Sequence, residues 1–405
     1  MRILIWSDAG SHTGYGVVTE NLANRWARRG AEIHVLACNY LGDPWPGPMR
    51  LYPATKYNQQ DRFGAGRLKE LIGKIHPDVL FVTQDLYVVQ SGLQALGGKF
   101  PVPTVLYVPI DGIHLPKSWK DTAQAATAVV TMTRHGKDTL KLEADLDTEF
   151  LWHGVEHEFF YPVSEKRPII MNQNNTKRPL NNKEDCKQAL GLGGRFVVLA
   201  INRNSIRKNY YDTVRVFDRF RQQHPDAFLF IHAVQRDEGG DLALLMERYG
   251  LTNEHVRINS MGDTYLGAEK PFLSLIYNAA DVKFSMSMAE GFGLTDAEAV
   301  ATGIPVVAQD FSATSEVVGP GGILVPVARY FTTARMVDFG LPDLDKAYEA
   351  LERLYQDEAL REELSQKAIE HGKGFNWDRT AFRMYEVMEQ AMGQTSVSAV
   401  AAGHP

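Results

Sequence analysis

Cysteine is nearly missing from this sequence: 405 residues contain two, Cys38 and Cys186, in unrelated surroundings. A disulfide framework and a cysteine-based zinc centre are therefore excluded as organising features. No apolar run approaches the roughly 20 residues that a membrane-spanning helix needs. The opening Met1-Arg-Ile-Leu-Ile-Trp6 is too short for the apolar core of a secretory signal. Positive charge is not in excess either. With 43 Lys and Arg against 49 Asp and Glu, the formal net charge of -6 argues against a dedicated nucleic-acid or anionic-membrane binder. Tandem repeats of solenoid period are absent, as are GxSxG and HExxH. A soluble cytoplasmic protein is expected, with peripheral attachment to a membrane left open.

What is present is a globular composition, 44% hydrophobic and 23% charged, in a chain long enough for two or three domains. Residues 2–7, 31–37, 78–83, 103–108, 128–132 and 148–152 are short apolar runs without alternation, as strands buried on both faces read. A Gly-rich turn over 8–16 and a helical pattern over 17–29 separate the first two, the opening of a doubly wound α/β domain. Composition changes after Pro162. The segment 164–183 holds Asn172, Asn174, Asn175, Asn181 and Asn182 and two prolines, and reads as a linker or exposed loop. A second α/β series follows: a helix near 183–190, strands at 196–201, 227–233, 255–259 and 282–285, and helices at 210–223, 240–249, 271–278, 343–355 and 358–372. The expected division is thus 1–163, a linker at 164–183, a second domain at 184–375, a helix at 376–392 and a disordered tail at 393–405. Two parallel-sheet domains of similar size imply a cleft, with ligands at the carboxyl ends of the strands.

Two places carry candidate chemistry. Arg203 and Lys208 follow the strand at 196–201 and precede a helix, where cations oppose the helix dipole unless an anion lies between them. An arginine fork and a compact ammonium suit a diphosphate, whereas Arg207 reads as a surface charge. Further on, Glu290 and Glu298 stand eight positions apart around Gly291-Phe292-Gly293. Thr295 is placed as an N-cap with Glu298 completing a capping box. The N–H groups of Phe292, Gly293, Leu294 and Thr295 would surround a phosphate at the helix N-terminus. Glu290 could accept from sugar hydroxyls, and Glu298 from ribose hydroxyls or from the helix end.

These segments resemble the retaining GT-B glycosyltransferases of the GT4, glycogen-synthase-like family. Residues 290–308, EGFGLTDAEAVATGIPVVA with Glu-x7-Glu, look like its donor-site signature, and Arg203 and Lys208 fall at its Arg-x4-Lys diphosphate pair. Residues 153–162 resemble the segment closing its first domain, and Phe375-Asn-Trp377 resembles its Phe-Ser-Trp segment before the helix that crosses back. The resemblance implies two Rossmann-like doubly wound domains facing a cleft, with the C-terminal helix crossing back. It implies transfer of a sugar from a nucleotide diphosphate donor, most readily a UDP- or GDP-sugar, to a hydroxyl acceptor with retention and without an essential metal or other cofactor. Glu290 would hold the donor sugar, Glu298 the ribose, and Arg203 and Lys208 the diphosphate. Gly14 and Gly16 match the N-terminal glycine loop, and Asn259 and Met261 lie near the base-binding position.

The sequence departs from the family pattern in three places. Where many members have His-Asp, this one reads Val108-Pro-Ile-Asp-Gly-Ile-His-Leu-Pro116, leaving Asp111 as the functional equivalent and His114 as the alternative. The loop 310–316 lacks the usual Gly-Gly before Glu316, and residues 328–341, with Tyr330 and Phe331, look inserted on the acceptor side. Asp145-Leu-Asp147, Asp343-Leu-Asp345 and the pair His153 and His157 read as turn or helix-edge residues, not as metal ligands. A phosphorylase or epimerase on the same scaffold, a non-catalytic glycan-binding relative and a DNA-base glycosyltransferase are the rival readings. Oligomeric state stays open.

Overall fold

The computed structural model describes residues 1–56, 60–173, 176–259 and 267–401. It divides into two compact units. The first comprises Met1–Gly154, Thr333–Val337 and the segment from Asn376, the second Val155–Thr332 and Asp338–Phe375.

In the first unit the chain runs β1 (Arg2–Asp8), α1 (Gly14–Arg28), β2 (Glu32–Cys38), β3 (Arg50–Pro53), α2 (Ala65–Ile75), β4 (Val79–Val82), α3 (Leu86–Ala95) and β5 (Thr104–Val108). It continues with α4 (Lys117–Gln124), β6 (Ala128–Thr131), α5 (Arg134–Ala144) and β7 (Glu149–Phe150). All neighbours are parallel, in the order β3-β2-β1-β4-β5-β6-β7. The β4 and β5 runs are buried throughout, which is why they carry no polar alternation.

The second unit opens with a hairpin of β8 (Ile169–Gln173) and β9 (Thr176–Leu180), followed by α6 (Lys183–Ala189) and β10 (Phe196–Ile201). Then come α7 (Tyr210–Arg221), β11 (Ala227–His232), a small ribbon of β12 (Arg236–Asp237) and β13 (Gly240–Asp241), α8 (Leu242–Arg248) and β14 (Val256–Asn259). After these follow α9 (Lys270–Ala279), β15 (Val282–Ser285), α10 (Leu294–Ala301), β16 (Val306–Gln309), α11 (Ala313–Val318) and β17 (Gly322–Val325). A second hairpin, β18 (Val327–Thr332) with β19 (Asp338–Pro342), precedes α12 (Leu344–Gln356), α13 (Glu358–Gly372) and α14 (Trp377–Ala401). The main sheet is parallel, β14-β11-β10-β15-β16-β17. Counted within the unit this is the Rossmann order 3-2-1-4-5-6, and its switch point lies between the carboxyl ends of β10 and β15. The core there is built from Val198, Phe217, Phe220, Leu229, Phe284, Leu351 and Leu354. Both units are thus Rossmann-like parallel-sheet domains.

Helix α14 packs within the first unit. Trp26 Nε1 donates to Ala381 O at 2.9 Å, Thr380 Oγ1 donates to Trp152 O at 2.6 Å, and the His153 ring stacks on Trp377. Gly154 permits this docking, because a Cβ there would lie 2.2 Å from the Trp377 backbone nitrogen.

Two expectations are corrected. The segment 164–183 is not a bare linker. It contains the antiparallel pair β8 and β9, whose Ile169 and Leu180 are buried with Cys186, Leu275 and Ala279. The sparse periodicity hid it because one buried apolar residue on each strand, paired at the open end of the ribbon, suffices to anchor it. Helix α14 continues to Ala401, past the expected end at 392.

Candidate active site

The loop after β10 divides its cations. Asn204, buried, donates through Nδ2 to Gln235 O at 3.1 Å and Gly240 O at 2.9 Å, which ties the loop to the β12–β13 ribbon. Arg203 is carried there with it and pairs with Asp237 (Nε–Oδ2 2.8 Å) and Glu238 (3.1 Å). One short 3-10 turn later, Ile206–Lys208 presents Arg207 and Lys208 consecutively. Asn209, at φ 50°, then caps α7 by accepting from Asp212 N; asparagine is among the residues that tolerate this left-handed backbone.

Arg207 and Lys208 converge on Glu290. Lys208 Nζ lies 2.5 Å from Oε1 and Arg207 Nη1 lies 3.0 Å from Oε2, with Glu290 3% exposed. Arg207 also donates to Ala289 O. It is therefore no surface charge, and the expectation for it is corrected. Arg203 and Lys208, expected as a pair, bind different carboxylates. Burial by itself would raise the Glu290 carboxyl, but Lys208 and then Arg207 bring it down to about 2. Burial draws the Lys208 ammonium below its ordinary value while Glu290 opposes the shift. The Glu290 N–H donates to Ser312 Oγ at 2.9 Å, fixing the acidic loop to the start of α11. Ser312 sits at φ 55°, a conformation that favours glycine. Here it stands where the glycine pair of the resemblance is missing.

Helix α10 begins two residues earlier than its sequence suggests. Gly293, at φ 93°, is the N-cap and makes no side-chain cap bond. Thr295 is inside the helix and donates to Asn202 Oδ1 at 3.1 Å. Asn202 Nδ2 reaches Ser285 Oγ at 3.3 Å, so this one side chain links the ends of β10 and β15 with α10. The expected capping box is therefore absent. Glu298 instead accepts from the Tyr277 hydroxyl at 2.7 Å, and burial pushes its carboxyl up to about 7 against the restraint of that hydrogen bond. The first-turn N–H groups of Leu294 and Thr295 precede the intrahelical ladder, beside Phe292, whose buried ring packs edge-on against Phe375.

In the first unit Thr13 caps α1, accepting from Gly16 N at 3.1 Å and donating to Asp8 Oδ2 at 2.5 Å. Gly14 is the first helical residue. Gly16 has to be glycine: a Cβ would come 2.0 Å from Ser11 O. Between them Tyr15 donates to Asp85 Oδ1 at 3.0 Å, and its phenol is held far above its usual value by burial, by Asp85 and by Asp111. Asp111 thus lies within electrostatic reach of the glycine turn. His114, at φ 61°, is exposed, and its backbone N–H donates to Glu143 Oε1 at 2.7 Å.

Asn259 donates to His232 Nδ1 at 3.0 Å, and burial lowers His232 to about 4. Met261 lies outside the described residues. Asp343 is the N-cap of α12 and Asp145 pairs with Lys141. His153 meets the Tyr107 hydroxyl at 2.8 Å while His157 meets Phe375 O at 2.9 Å. The residues that sequence reasoning missed are Arg207, Asn202, Tyr277, Lys283 and Asp296. Only Arg207 left a signal, as a second cation one position before Lys208.

Over its whole length the chain resembles solved two-Rossmann structures. Sucrose-phosphate synthase from Thermosynechococcus elongatus matches with TM-score 0.73 and 19% identity, covering 97% of this chain and 99% of that one. The Anabaena HepE structure in complex with UDP and glucose matches with TM-score 0.69 and 16% identity, covering 96% and 100%. The fold is GT-B. Residues 182–371 match the family described as glycosyl transferases group 1. A D-inositol 3-phosphate glycosyltransferase of Paenarthrobacter aurescens (strain TC1) is 35% identical over 122 residues, 30% of this chain and 27% of that protein. Two further relatives of the same description are matched over 44% and 48% of their lengths, so the chain aligns with at most about half of each.

Proposed function

We propose that the protein transfers a sugar from a nucleotide diphosphate sugar, UDP- or GDP-linked, to a hydroxyl acceptor with retention of configuration. The observation that carries this reading is the Lys208–Glu290–Arg207 cluster at the switch point of the second unit, where Rossmann sheets bind their ligands. Among the described residues Glu290 takes one of the three Lys208 N–H donors. The others, with the first-turn N–H groups of α10, meet diphosphate oxygens, and Arg207 and Arg203 add charge on the same loop. Glu290, held ionised, accepts from a hydroxyl of the donor sugar. Glu298 accepts from the ribose, each such charge-assisted bond contributing about 1.5–3 kcal/mol. Asn259 and, on the family pattern alone, Met261 are assigned to recognition of the base.

In the reaction the bond from the anomeric carbon to the phosphate oxygen breaks and the bond to the acceptor oxygen forms on the same face. The acceptor proton passes to the departing phosphate oxygen. Lys208 and Arg207 stabilise the charge that develops there, so the residues suffice without an essential metal. Asp111, with His114 as the alternative, orients the acceptor from the first unit, beside Gly14 and Gly16. Among the described residues no helix is long and apolar enough to cross a membrane, and a cytoplasmic enzyme accords with this reading. The curated relatives make a polyol phosphate one acceptor to try. Release of nucleoside diphosphate from a panel of UDP-, GDP- and ADP-sugars tests the proposal; a folded sample that turns over none of them refutes it.

A further inference from the structure

The ion pair between Lys283 and Asp296 takes no part in the chemistry above, yet it is the most deeply buried one near the site. Lys283, in the middle of β15, has no exposed side-chain surface, Asp296 in the first turn of α10 has 2%, and the ammonium contacts Oδ1 directly. Its strand neighbours Val282 and Phe284 are fully buried. Lysine is among the residues least often found wholly inside a protein. A buried ion pair is weak evidence for net stabilisation, because apolar replacement of a whole buried pair is often neutral or stabilising.

Its placement suggests another role. Asp296 Oδ2 lies under Gly293: a Cβ on that glycine would be 2.8 Å away. Asp296 N–H also donates to Gly293 O at 2.9 Å. The carboxylate therefore has Lys283 on one oxygen and the α10 N-cap on the other. Asp296 further supports the Lys208 ammonium, and Lys283 favours the ionised form of Glu298. One buried pair lies against Gly293, between Glu290 and Glu298, and acts on the charge of Lys208 and Glu298.

We infer that Lys283 and Asp296 are positioning residues for binding the nucleoside diphosphate part of the donor, holding Gly293 and the first turn of α10 against β15. The inference rests on reading the second unit as the donor site. A purely architectural pair would be replaceable without loss of ligand affinity; a positioning pair would not.

The test is calorimetric titration of the full chain with UDP and with GDP. It compares wild type, the double variant Lys283→Met/Asp296→Leu and the shape-preserving Asp296→Asn, each checked by circular dichroism and cooperative unfolding. The expected result is wild-type binding of one nucleotide and at least tenfold weaker binding by the folded variants. Binding within twofold of wild type by a folded variant overturns the inference and leaves the donor-site reading standing. Failure of both variants to fold makes the pair architectural and also overturns it. Wild type that binds neither nucleotide overturns the donor-site reading first, and this inference with it.

Discussion

Replacing Lys208 with methionine keeps most of the side-chain length and removes the ammonium beside Glu290. The Glu290 carboxyl stands at about 2, against 4.5 for an ordinary glutamate, a difference that corresponds to about 3 kcal/mol of folding stability. Arg207 remains 3.0 Å from the other oxygen and keeps part of that, so the expected loss at neutral pH is about 2 kcal/mol, below the full cost of breaking a buried pair. The sign is fixed by linkage. A carboxyl whose folded value is depressed contributes stability above its unfolded value, and the contribution is lost as pH falls from about 4.5 towards 2. The gap between wild type and variant should therefore be full at pH 7.5 and shrink below pH 4.5. All six tryptophans lie outside the second unit, so urea unfolding is followed by circular dichroism and not by tryptophan fluorescence. A gap under about 0.5 kcal/mol at pH 7.5, or one that does not change between pH 7.5 and 3, would refute the assignment of Glu290 as an ion-paired carboxylate.

Glu298→Gln should have the opposite stability profile. Its carboxyl is raised to about 7, so folding loses stability as pH climbs from about 4.5 through 7; the variant should unfold at higher urea than wild type at pH 8, converge with it near pH 4.5, and bind donor more weakly above about pH 7, where Glu298 is ionised. A variant less stable than wild type at pH 8 would contradict this. Gly16→Ala forces a Cβ against Ser11 O and should cost about 1–3 kcal/mol by overpacking, read as a lowered melting temperature of the first unit. An unchanged melting temperature would show that the turn before α1 yields freely.

The strands were legible because parallel strands buried on both faces leave short Val-, Ile- and Phe-rich runs: β10 and β15 coincide with the runs at 196–201 and 282–285. Their order is not written in any local pattern, since pairing joins residues up to 84 positions apart, as between Val198 and Val282. Glu290 and Lys208 could be singled out because a cation just before a helix opposes its dipole and a carboxylate beside a glycine loop at a helix start can meet a ligand's hydroxyls. What joins them could not. Arg203 and Arg207 are the same residue type on one loop, and only the anchoring of Asn204 decides which of them faces Glu290. The apparent capping box failed because Gly293 at φ 93° starts the helix before Thr295, and Tyr277, from a different helix, then claims Glu298. Lys283 was invisible for a different reason: its partner is 13 residues away on another element, and a single lysine in an apolar run reads as an edge residue.

The central claim is that the cluster of Lys208, Arg207 and Glu290 binds and activates a nucleotide diphosphate sugar. Release of nucleoside diphosphate in the presence of EDTA, by wild type, Lys208→Met and Glu290→Gln, tests it most directly. The account predicts turnover of a UDP- or GDP-sugar by wild type that persists without divalent metal and falls at least a hundredfold in each variant, about 2.7 kcal/mol of lost transition-state stabilisation. Wild-type turnover that survives either substitution undiminished would contradict it.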